Sequence, residues 1–320
     1  MPARRTIGVD MGGSKLLAGA VDTALLVHVR TQRPLLGLDQ TTLLDVAVDA
    51  VDEARGLADG EVLAVGFGIP CTIDMRTGRV VQAVNLPLAD IMFADVMTER
   101  LGLPVFLDND ANLAVLAEHR AGSAAGCSEV VMLTIGTGIG GGLILGGSLY
   151  RGAEGAAGEL GHTVIDVNGP RCQGNCPNRG CIEVMASGTA LAREAVRIAG
   201  ERPGSALAGA LADGQALLGP MVTELAYDGD AAAREVLELI GTRLGAACTS
   251  FVNTFNPEVI VIGGGVMAAG DLILDPARAV VAERALPPGR DLVRIVTAAF
   301  GVEAGMVGAA SFAFDSLGRA

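Results

Sequence analysis

The sequence contains no tryptophan, two tyrosines and, at Lys15, a single lysine in 320 residues. Aromatic residues make up only 3% of the chain, so the core has to be built from alanine, valine, leucine and isoleucine. Acidic side chains number 36 against 23 basic ones, which gives a net charge of −13 at pH 7. Because affinity for a phosphate backbone comes mostly from lysine and arginine, this balance argues against nucleic acid as a partner, whereas a local site can still hold a small anion.

An apolar leader is also lacking, because Arg4 and Arg5 are soon followed by a glycine and an aspartate. We therefore expect no secretory signal and a cytoplasmic protein. One uncharged run, residues 130–147, is long enough to be weighed as a membrane segment. Seven of its 18 residues are glycines clustered in the middle, and the others favour strands. We predict two short buried strands around a glycine-rich turn.

Half of the residues are hydrophobic, which supplies material for a packed core and excludes disorder as the main state. At about 100–200 residues per domain, the length favours two domains. The periodicity predicts a mixed α/β protein, and a helix over residues 41–55 places Leu44, Ala47, Val48 and Val51 on one face. Strands are predicted at 6–10, 16–21, 61–68, 104–107 and 258–262, and further helices through His119, after Ser187, at 231–253 and from about 304.

Two segments share one plan of apolar strand, glycine-rich turn and apolar strand, namely residues 7–21 and 132–147. Because each opens one half of the chain, the repeat predicts two related α/β domains facing a cleft. We place the boundary where residues 119–128 become polar and rich in glycine, alanine and serine. The predicted domains are residues 1–120, joined by the last helix at about 304–320, and residues 121–303, which include a cysteine-rich segment at 162–183.

Both glycine-rich turns, residues 10–15 and 136–141, fit a phosphate-binding nest, because consecutive glycines let backbone N–H groups point into one concavity. A tight hairpin explains either turn alone, and their matched positions favour phosphate binding. The second turn matches G-x-G-x-x-G, but the dinucleotide-binding pattern requires a helix next, and the LILGG that follows is typical of a strand. A third run, Gly263–Gly265, could approach a nucleotide base or sugar.

Two charged side chains accompany the first turn. Asp10 ends a strand there, where a carboxylate can hold Mg²⁺ directly or through water near transferred phosphates. An aspartate that caps the turn is the alternative. Lys15 lies in the turn itself, which suggests a phosphate contact, although a compositional bias towards arginine that left one lysine explains it equally well.

Six cysteines lie at positions 71, 127, 172, 176, 181 and 248. Without a secretory signal we expect a reducing compartment, in which disulfides are not the default. Three of the cysteines crowd within ten residues, which suggests a metal site. Cys71, Cys127 and Cys248 are isolated, and we predict that they are small core residues.

Five motifs in a fixed order resemble the ROK sugar kinases, a family within the actin/hexokinase-like ATPase superfamily. They are DMGGSK at 10–15, LDNDANLAVLAE at 107–118, IGTGIGGG at 135–142, GAAGELGHTVI at 155–165 and RCQGNCPNRGCIE at 171–183. Ser14 replaces the family's usual threonine, and its hydroxyl can make the same hydrogen bonds. GGGV and EAGMVGAA continue the resemblance to about residue 310. The resemblance implies an α/β protein with two ribonuclease-H-like domains flanking a cleft.

The resemblance also implies a site for a hexose and for ATP. Asp110 would be the general base, accepting the proton of a sugar hydroxyl as the γ-phosphoryl group arrives. A helix N-cap is the alternative for Asp108, Asn109 and Asp110. The implied sugar contacts are Asn85, Asn109, Glu159, His162 and Glu183, with surface solvation as the alternative for the two glutamates. The implied contacts to ATP and Mg²⁺ are Asp10, Gly12, Gly13, Ser14, Lys15, Thr137, Gly138 and Gly264.

His162, Cys172, Cys176 and Cys181 form a Cys₃His set of the structural zinc type. One ring nitrogen of His162 would bind Zn²⁺ and the other would meet the sugar, so the metal would orient the sugar site. The sequence departs from the family's C-x-C pair, because three residues separate Cys172 from Cys176, and Pro177 stands in place of a glycine. Three free thiols are the alternative, and Cys172 is the ligand that the departure puts in doubt.

We therefore expect an ATP- and Mg²⁺-dependent kinase acting on the 6-hydroxyl of a hexose, first of all glucose. Kinases for mannose, fructose, allose, N-acetylglucosamine or N-acetylmannosamine share the same contacts and stay open, as does a polyphosphate donor. A non-catalytic sugar sensor is the alternative class, against which Asp110 and both turns argue. ROK repressors carry a helix-turn-helix domain ahead of this core, and the chain begins at the first phosphate motif. The family implies a homodimer, and we expect neither nucleic acid nor membrane as a partner.

Overall fold

The computed structural model describes residues 3–74, 76–83 and 85–318, which fold into two compact units. The first unit consists of the chain up to Gly126, together with Gly142–Gly158 and the residues from Val302 onward. The second unit consists of Cys127–Gly141 and Glu159–Gly301. The predicted domain boundaries stay a prediction.

The strands up to residue 109 form two sheets. They are β1 Arg4–Met11, β2 Lys15–Asp22, β3 Val27–Pro34, β4 Glu61–Ile69, β5 Cys71–Asp74, β6 Arg79–Ala83, β7 Ala89–Ile91 and β8 Val105–Asn109. A five-stranded sheet has the order β3-β2-β1-β4-β8, in which β1, β2 and β3 are antiparallel neighbours, whereas β4 and β8 run parallel to β1. The three short strands β5, β6 and β7 form a separate antiparallel sheet.

A second five-stranded sheet contains β9 Val130–Ile135, β10 Ile139–Leu145, β11 Ser148–Leu149, β12 Val259–Gly263 and β13 Arg294–Thr297. Its order is β11-β10-β9-β12-β13, with β12 parallel to both β9 and β13. In both five-stranded sheets the opening strand is central, with the strand after the glycine-rich turn on one side and two parallel strands on the other. The predicted repeat of strand, turn and strand is thereby confirmed.

The helices are α1 Gln40–Leu57, α2 Phe93–Leu101, α3 Asp110–Ala121, α4 Ile182–Ala186, α5 Gly188–Glu201, α6 Ala206–Ala212, α7 Gly219–Tyr227, α8 Ala231–Phe255, α9 Asp271–Arg284, α10 Gly289–Leu292 and α11 Ala304–Leu317. Short 3-10 helices lie at Leu160–His162, Gly265–Ala269 and Gly301–Glu303. Among the helices of the described residues, none combines the length and apolarity needed to cross a membrane. The uncharged run at 130–147 forms the predicted pair of strands.

The first helix shows how local sequence sets an element. The Asp39 side chain caps α1 by accepting a hydrogen bond from the Thr42 amide at 2.8 Å, which satisfies one of the amides that a helix start leaves unpaired. Leu44, Ala47 and Val51 of the predicted apolar face are buried. This stripe packs α1 against β2 and β3.

The last helix packs on the first sheet so closely that two strand positions have room for glycine alone. A Cβ at Gly8 would lie 1.8 Å from the Met306 carbonyl oxygen, and one at Gly66 would lie 1.9 Å from that of Ala309. Real Cβ atoms essentially never lie closer than 3.0 Å to a heavy atom of another residue. This contact brings the first turn of α11 to the end of β1, where Asp10 lies.

Candidate active site

The first glycine-rich turn joins β1 to β2 and is closed by a hydrogen bond from the Gly12 amide to the Lys15 carbonyl oxygen at 2.9 Å. Ser14 and Lys15 are exposed at the turn. A Cβ at Gly13 would lie 2.9 Å from the Cβ of Asn85, whose own backbone is left-handed, with a φ of 62°. The loop that carries Asn85 therefore rests directly on this turn, and a side chain at Gly13 would displace it.

Asp10 lies near the end of β1, and its carboxylate faces the first turn of α11. A Cβ at Gly305 would lie only 2.7 Å from the Asp10 Cγ. The pKa of Asp10 is raised to about 7, chiefly by burial and next by the negative charge of Asp110, while Lys15 acts in the opposite direction. The negative charges of Asp10 and Asp110 repel each other, so a divalent cation bound between or beside them would be stabilising.

The raised pKa of Asp10 predicts an unusual pH dependence of stability. The unfolded carboxyl ionises near pH 4 and the folded one near pH 7, so this group opposes folding increasingly between those values and fully above them. We expect Asp10→Asn to remove this penalty, so that the metal-free variant gains on the wild type as pH rises, by at most about 4 kcal/mol above pH 7. Urea unfolding at steps from pH 5 to pH 8 measures the difference, with the exposed Asp95→Asn as control. A difference that stays constant with pH, or shrinks, would contradict the expectation.

The edge strand β8 of the first sheet leads into α3, and Asn109 is the residue that caps this helix. Its side-chain oxygen accepts hydrogen bonds from the amides of Ala111 at 3.0 Å and Asn112 at 3.2 Å. Because the cap uses the amide oxygen, the NH₂ group of Asn109 is the part of its side chain that can donate to a ligand. Asp110 is the first residue of the helix, and its Oδ1 accepts from the Ala111 amide at 2.9 Å.

The buried carboxylate of Asp108 is hydrogen-bonded to the start of α3. Its Oδ1 accepts from the Asn109 amide at 2.8 Å and from Asn112 Nδ2 at 3.0 Å, while its Oδ2 accepts from Arg151 Nε at 2.8 Å and from Nη2 of the same guanidinium. That guanidinium also lies over the ring of Phe312, 5.6 Å from its centroid. Sequence reasoning missed Arg151, because its partner lies 43 residues earlier in the chain and no local pattern marks it. The pair fixes the segment that leads into α3.

Replacing Arg151 with methionine keeps an apolar stem but leaves the Asp108 carboxylate buried without its cation. We expect Arg151→Met to lower the free energy of unfolding by about 3 kcal/mol, as a broken buried pair does. Adding Asp108→Asn removes the uncompensated charge and is expected to recover most of the loss. Arg76→Met is the control for urea titration, because Arg76 is 83% exposed beside Asp74 and such pairs contribute about 1 kcal/mol or less. Equal losses of unfolding free energy in Arg151→Met and Arg76→Met would contradict the expectation.

The second glycine-rich turn follows β9 and is closed by a hydrogen bond from the Gly136 amide to the Gly138 carbonyl oxygen at 2.9 Å. Thr137 is exposed at its tip. Gly264 lies against the base of this turn, since a Cβ there would be 2.3 Å from the Ile135 carbonyl oxygen. Its φ of 89° is left-handed, so this position requires glycine on two grounds.

The four predicted metal ligands come together in the second unit. One ring nitrogen of His162 and the sulfur atoms of Cys172, Cys176 and Cys181 all lie within 4.8 Å of one another. Cys172 Sγ is 3.6 Å from His162 Nδ1, and Cys176 Sγ is 3.9 Å from Cys181 Sγ. Tetrahedral Zn²⁺ with its usual bond lengths needs ligand separations of about 3.5–3.8 Å. The donor set therefore fits zinc in its chemistry, and these two separations lie close to the tetrahedral values.

Cys172 reaches this cluster although three residues, rather than the family's one, separate it from Cys176. The residues between Cys172 and Asn178 form a turn. Arg171 and Arg179 are paired by an isolated bridge, and the Cys172 amide donates to the Asn178 carbonyl oxygen at 3.0 Å. Gly174 takes the left-handed backbone that such a turn needs, with a φ of 57°. The insertion is absorbed between the two arms of this loop.

His162 presents its other ring nitrogen, Nε2, 3.9 Å from the carboxylate of Glu159. The Glu159 side chain is 69% exposed. Glu183 is engaged differently, because its Oε2 accepts a hydrogen bond from the Ile139 amide at 2.9 Å. His162 and Glu159, both predicted sugar contacts, thus lie side by side. One carboxylate oxygen of Glu183, a third predicted sugar contact, is instead hydrogen-bonded to the end of the second glycine-rich turn.

The predicted site residues fall into two groups, each brought together within its own unit. The first unit holds Asp10, Gly12, Gly13, Ser14, Lys15, Asn85, Asn109 and Asp110, and the second holds Thr137, Gly138, Glu159, His162, Cys172, Cys176, Cys181, Glu183 and Gly264. Their individual roles stay predictions. The isolated cysteines 71, 127 and 248 are buried, as the sequence predicts.

The two five-stranded sheets have the same strand order, and in each of them a glycine-rich turn joins the first two strands. This arrangement defines an α/β protein of the actin/hexokinase-like fold. Within that class, the family model described as the ROK family matches residues 6–316. The chain belongs to the ROK family.

Similar proteins cover nearly the whole chain. A glucokinase of Halalkalibacterium halodurans is 36% identical over 313 residues, which are 96% of this chain and 94% of that protein. A glucokinase of Thermotoga maritima is 34% identical over 321 residues, 99% of this chain and 100% of that protein. The crystal structure of a ROK family glucokinase from Streptomyces griseus in complex with glucose and AMPPNP is 34% identical, with a TM-score of 0.87 over 97% of this chain and 99% of that chain.

Proposed function

We propose that this protein is an ATP-dependent hexose kinase that phosphorylates glucose at its 6-hydroxyl. The observation that carries the proposal is the start of α3, where Asp110 follows the Asn109 cap and its charge raises the pKa of Asp10. That arrangement supplies a proton acceptor beside a cation site. The glucokinases at 34–36% identity over nearly the whole chain, and the solved complex with glucose and AMPPNP, support glucose and ATP as the substrates.

In the proposed reaction Asp110 accepts the proton of the sugar 6-hydroxyl as the hydroxyl oxygen bonds to the γ-phosphorus. The bond from that phosphorus to the bridging oxygen breaks, and ADP leaves with the electron pair. Asn109 donates from its NH₂ group to a neighbouring sugar hydroxyl and so orients the sugar. Backbone amides of the two glycine-rich turns bind phosphate oxygens, and Lys15 adds a positive charge to the first of them.

Asp10 would hold Mg²⁺, directly or through water, because its carboxylate lies next to a second negative charge. When bound, Mg²⁺ neutralises charge on the transferred phosphates. We also propose a structural Zn²⁺ at His162 and the three cysteines, since their four ligand atoms lie within 4.8 Å of one another and four protein ligands would close the coordination shell. With Nδ1 turned to the sulfur of Cys172, His162 would keep Nε2 for the sugar.

Several parts of the proposal rest on the sequence and on the family resemblance. We propose a cytoplasmic homodimer that binds a small-molecule sugar, and the net charge of −13 argues against nucleic acid. We also propose that residues 1–120 with 304–320, and residues 121–303, are the two folding domains.

The test of the proposed function is release of ADP by the purified protein with Mg²⁺-ATP and a panel of sugars. Glucose is expected to give the highest kcat/KM among glucose, mannose, fructose, allose, N-acetylglucosamine and N-acetylmannosamine. A parallel assay with polyphosphate compares the donors. Turnover with another sugar would keep the kinase and change its substrate, whereas binding of sugar without turnover on the whole panel would point to a sensor.

A further inference from the structure

The second glycine-rich turn is held from one side by a short segment that follows the cysteine cluster. The Gly188 amide donates to the Gly136 carbonyl oxygen at 2.8 Å, and the Thr189 hydroxyl donates to the Thr137 carbonyl oxygen at 2.8 Å. The Glu183 carboxylate accepts from the amide of the residue that begins β10. Three backbone groups of one turn are thus bonded to residues 183–189.

The segment 183–189 packs so closely against the turn that two glycines at the contact have no room for a side chain. A Cβ at Gly138 would lie 2.4 Å from Glu183 Oε2, and one at Gly188 would lie 2.7 Å from the Gly136 carbonyl oxygen. Side chains at either glycine would therefore push the segment off the turn. These contacts leave little freedom for the backbone of the turn.

The planarity of the peptide bond gives these hydrogen bonds a consequence for ligand binding. In a trans peptide the C=O of one residue and the N–H of the next point in opposite directions. When the carbonyls of Gly136 and Thr137 are held towards residues 188 and 189, the amides of Thr137 and Gly138 must point the other way. The Ile139 amide is committed to Glu183. The turn therefore offers two aligned amides on the face opposite to the segment, as an anion-binding nest requires.

We propose that Glu183 and Thr189 are positioning residues for the nucleotide, which hold the second turn so that the amides of Thr137 and Gly138 meet the phosphates of ATP. The inference rests on the proposed function, and it gives Glu183 a second role beside the predicted sugar contact. Thr189 carries no role in the sequence analysis, because its partner lies 52 residues earlier in the chain.

The same segment connects the turn to the cysteine-rich loop. Glu183 follows two residues after Cys181, and α4 ends at Ala186. The buried hydroxyl of the next residue, Ser187, caps α5 by accepting from the Ala190 amide. Gln173 of the cysteine-rich loop donates to that hydroxyl at 3.5 Å. The cysteine-rich loop therefore continues directly into the segment 183–189 and also contacts it at Ser187.

The experiment measures binding of AMPPNP and, separately, of glucose by calorimetry, so that it needs no turnover. Thr189→Val keeps the shape of the side chain and removes one hydrogen bond, which is expected to weaken AMPPNP binding about fivefold and to leave glucose binding within about twofold. Thr242→Val is the matched control, because the Thr242 hydroxyl also donates to a backbone carbonyl, at 2.9 Å, but within α8. It is expected to bind AMPPNP as the wild type does.

Two variants at Glu183 separate its two roles. Glu183→Gln retains an oxygen that can accept from the Ile139 amide, so AMPPNP affinity is expected to stay within about twofold of the wild type. Glu183→Ala loses that acceptor and is expected to weaken AMPPNP binding about tenfold. Unchanged AMPPNP affinity in Thr189→Val, or an equal loss of glucose affinity, would overturn the inference. If Glu183→Ala does not fold, the pair Thr189→Val and Thr242→Val decides it.

The two proposals fail in different ways. A wild-type protein that binds AMPPNP but transfers no phosphate to any sugar overturns the proposed function, and the Thr189 comparison still decides the role of the segment. A wild-type protein that turns over glucose, with Thr189→Val binding AMPPNP normally, overturns the inference alone.

Discussion

Asp110→Asn is expected to lower kcat for glucose phosphorylation by about 10²–10⁴-fold, the usual contribution of a general base, while glucose and AMPPNP still bind. Asparagine has the size of aspartate, and its side-chain oxygen can still accept the hydrogen bond from the Ala111 amide that Asp110 accepts at 2.9 Å. It cannot take up the proton of the sugar hydroxyl. The start of α3 is thereby preserved, and the chemical step loses its proton acceptor.

The measurement is the steady-state rate of ADP release at saturating glucose, together with calorimetric titration of glucose and AMPPNP. Asp59→Asn makes the same chemical change at an exposed position of the first unit and serves as the control. A variant that keeps more than about a tenth of the wild-type kcat would contradict the role of Asp110 as general base. Parallel loss of glucose binding would assign Asp110 to substrate binding rather than to proton transfer.

The features that could be predicted from the sequence are those that neighbouring residues determine. The glycines at 12 and 13 and the apolar stretches beside them are sufficient to predict a strand, a turn and a strand. The side chain that caps α3 was left open among three adjacent residues, and it is Asn109, with Asp108 turned into the protein and Asp110 in the first helical turn. A list of good capping residues cannot make that choice, because it depends on what each carboxylate finds in the fold.

Two of the features that could not be predicted depend on contacts between distant parts of the chain. Arg151 is 43 residues from Asp108, and Glu183 is 44 residues from Ile139, whose amide donates a hydrogen bond to it. The sheet of β5, β6 and β7 was also missed, because strands of four, five and three residues are too short for a clear alternation of apolar and polar positions. Cys172 was in doubt for a related reason, since spacing alone does not show that an insertion folds into a turn.

Cys181→Ser is expected to have the largest effect on stability, because it removes a completely buried ligand from the cluster. Without metal, burial and the neighbouring Cys172 and Cys176 raise the pKa of the Cys181 thiol to about 12, so Cys181 holds its proton until a cation displaces it. Structural zinc contributes about 10 kcal/mol or more to folding in small zinc domains. We expect loss of bound zinc and a drop of several kcal/mol in unfolding free energy.

The readouts are zinc content by mass spectrometry and urea unfolding, both independent of activity. Cys248→Ser is the matched control, because Cys248 is equally buried in the second unit but lies outside the cluster, so its variant is expected to keep one zinc per chain. Cys172→Ser is expected to behave like Cys181→Ser, since its sulfur lies 3.6 Å from His162 Nδ1. Full zinc content in Cys172→Ser would reduce the ligand set to three protein groups, leave a coordination position open and argue against a purely structural metal.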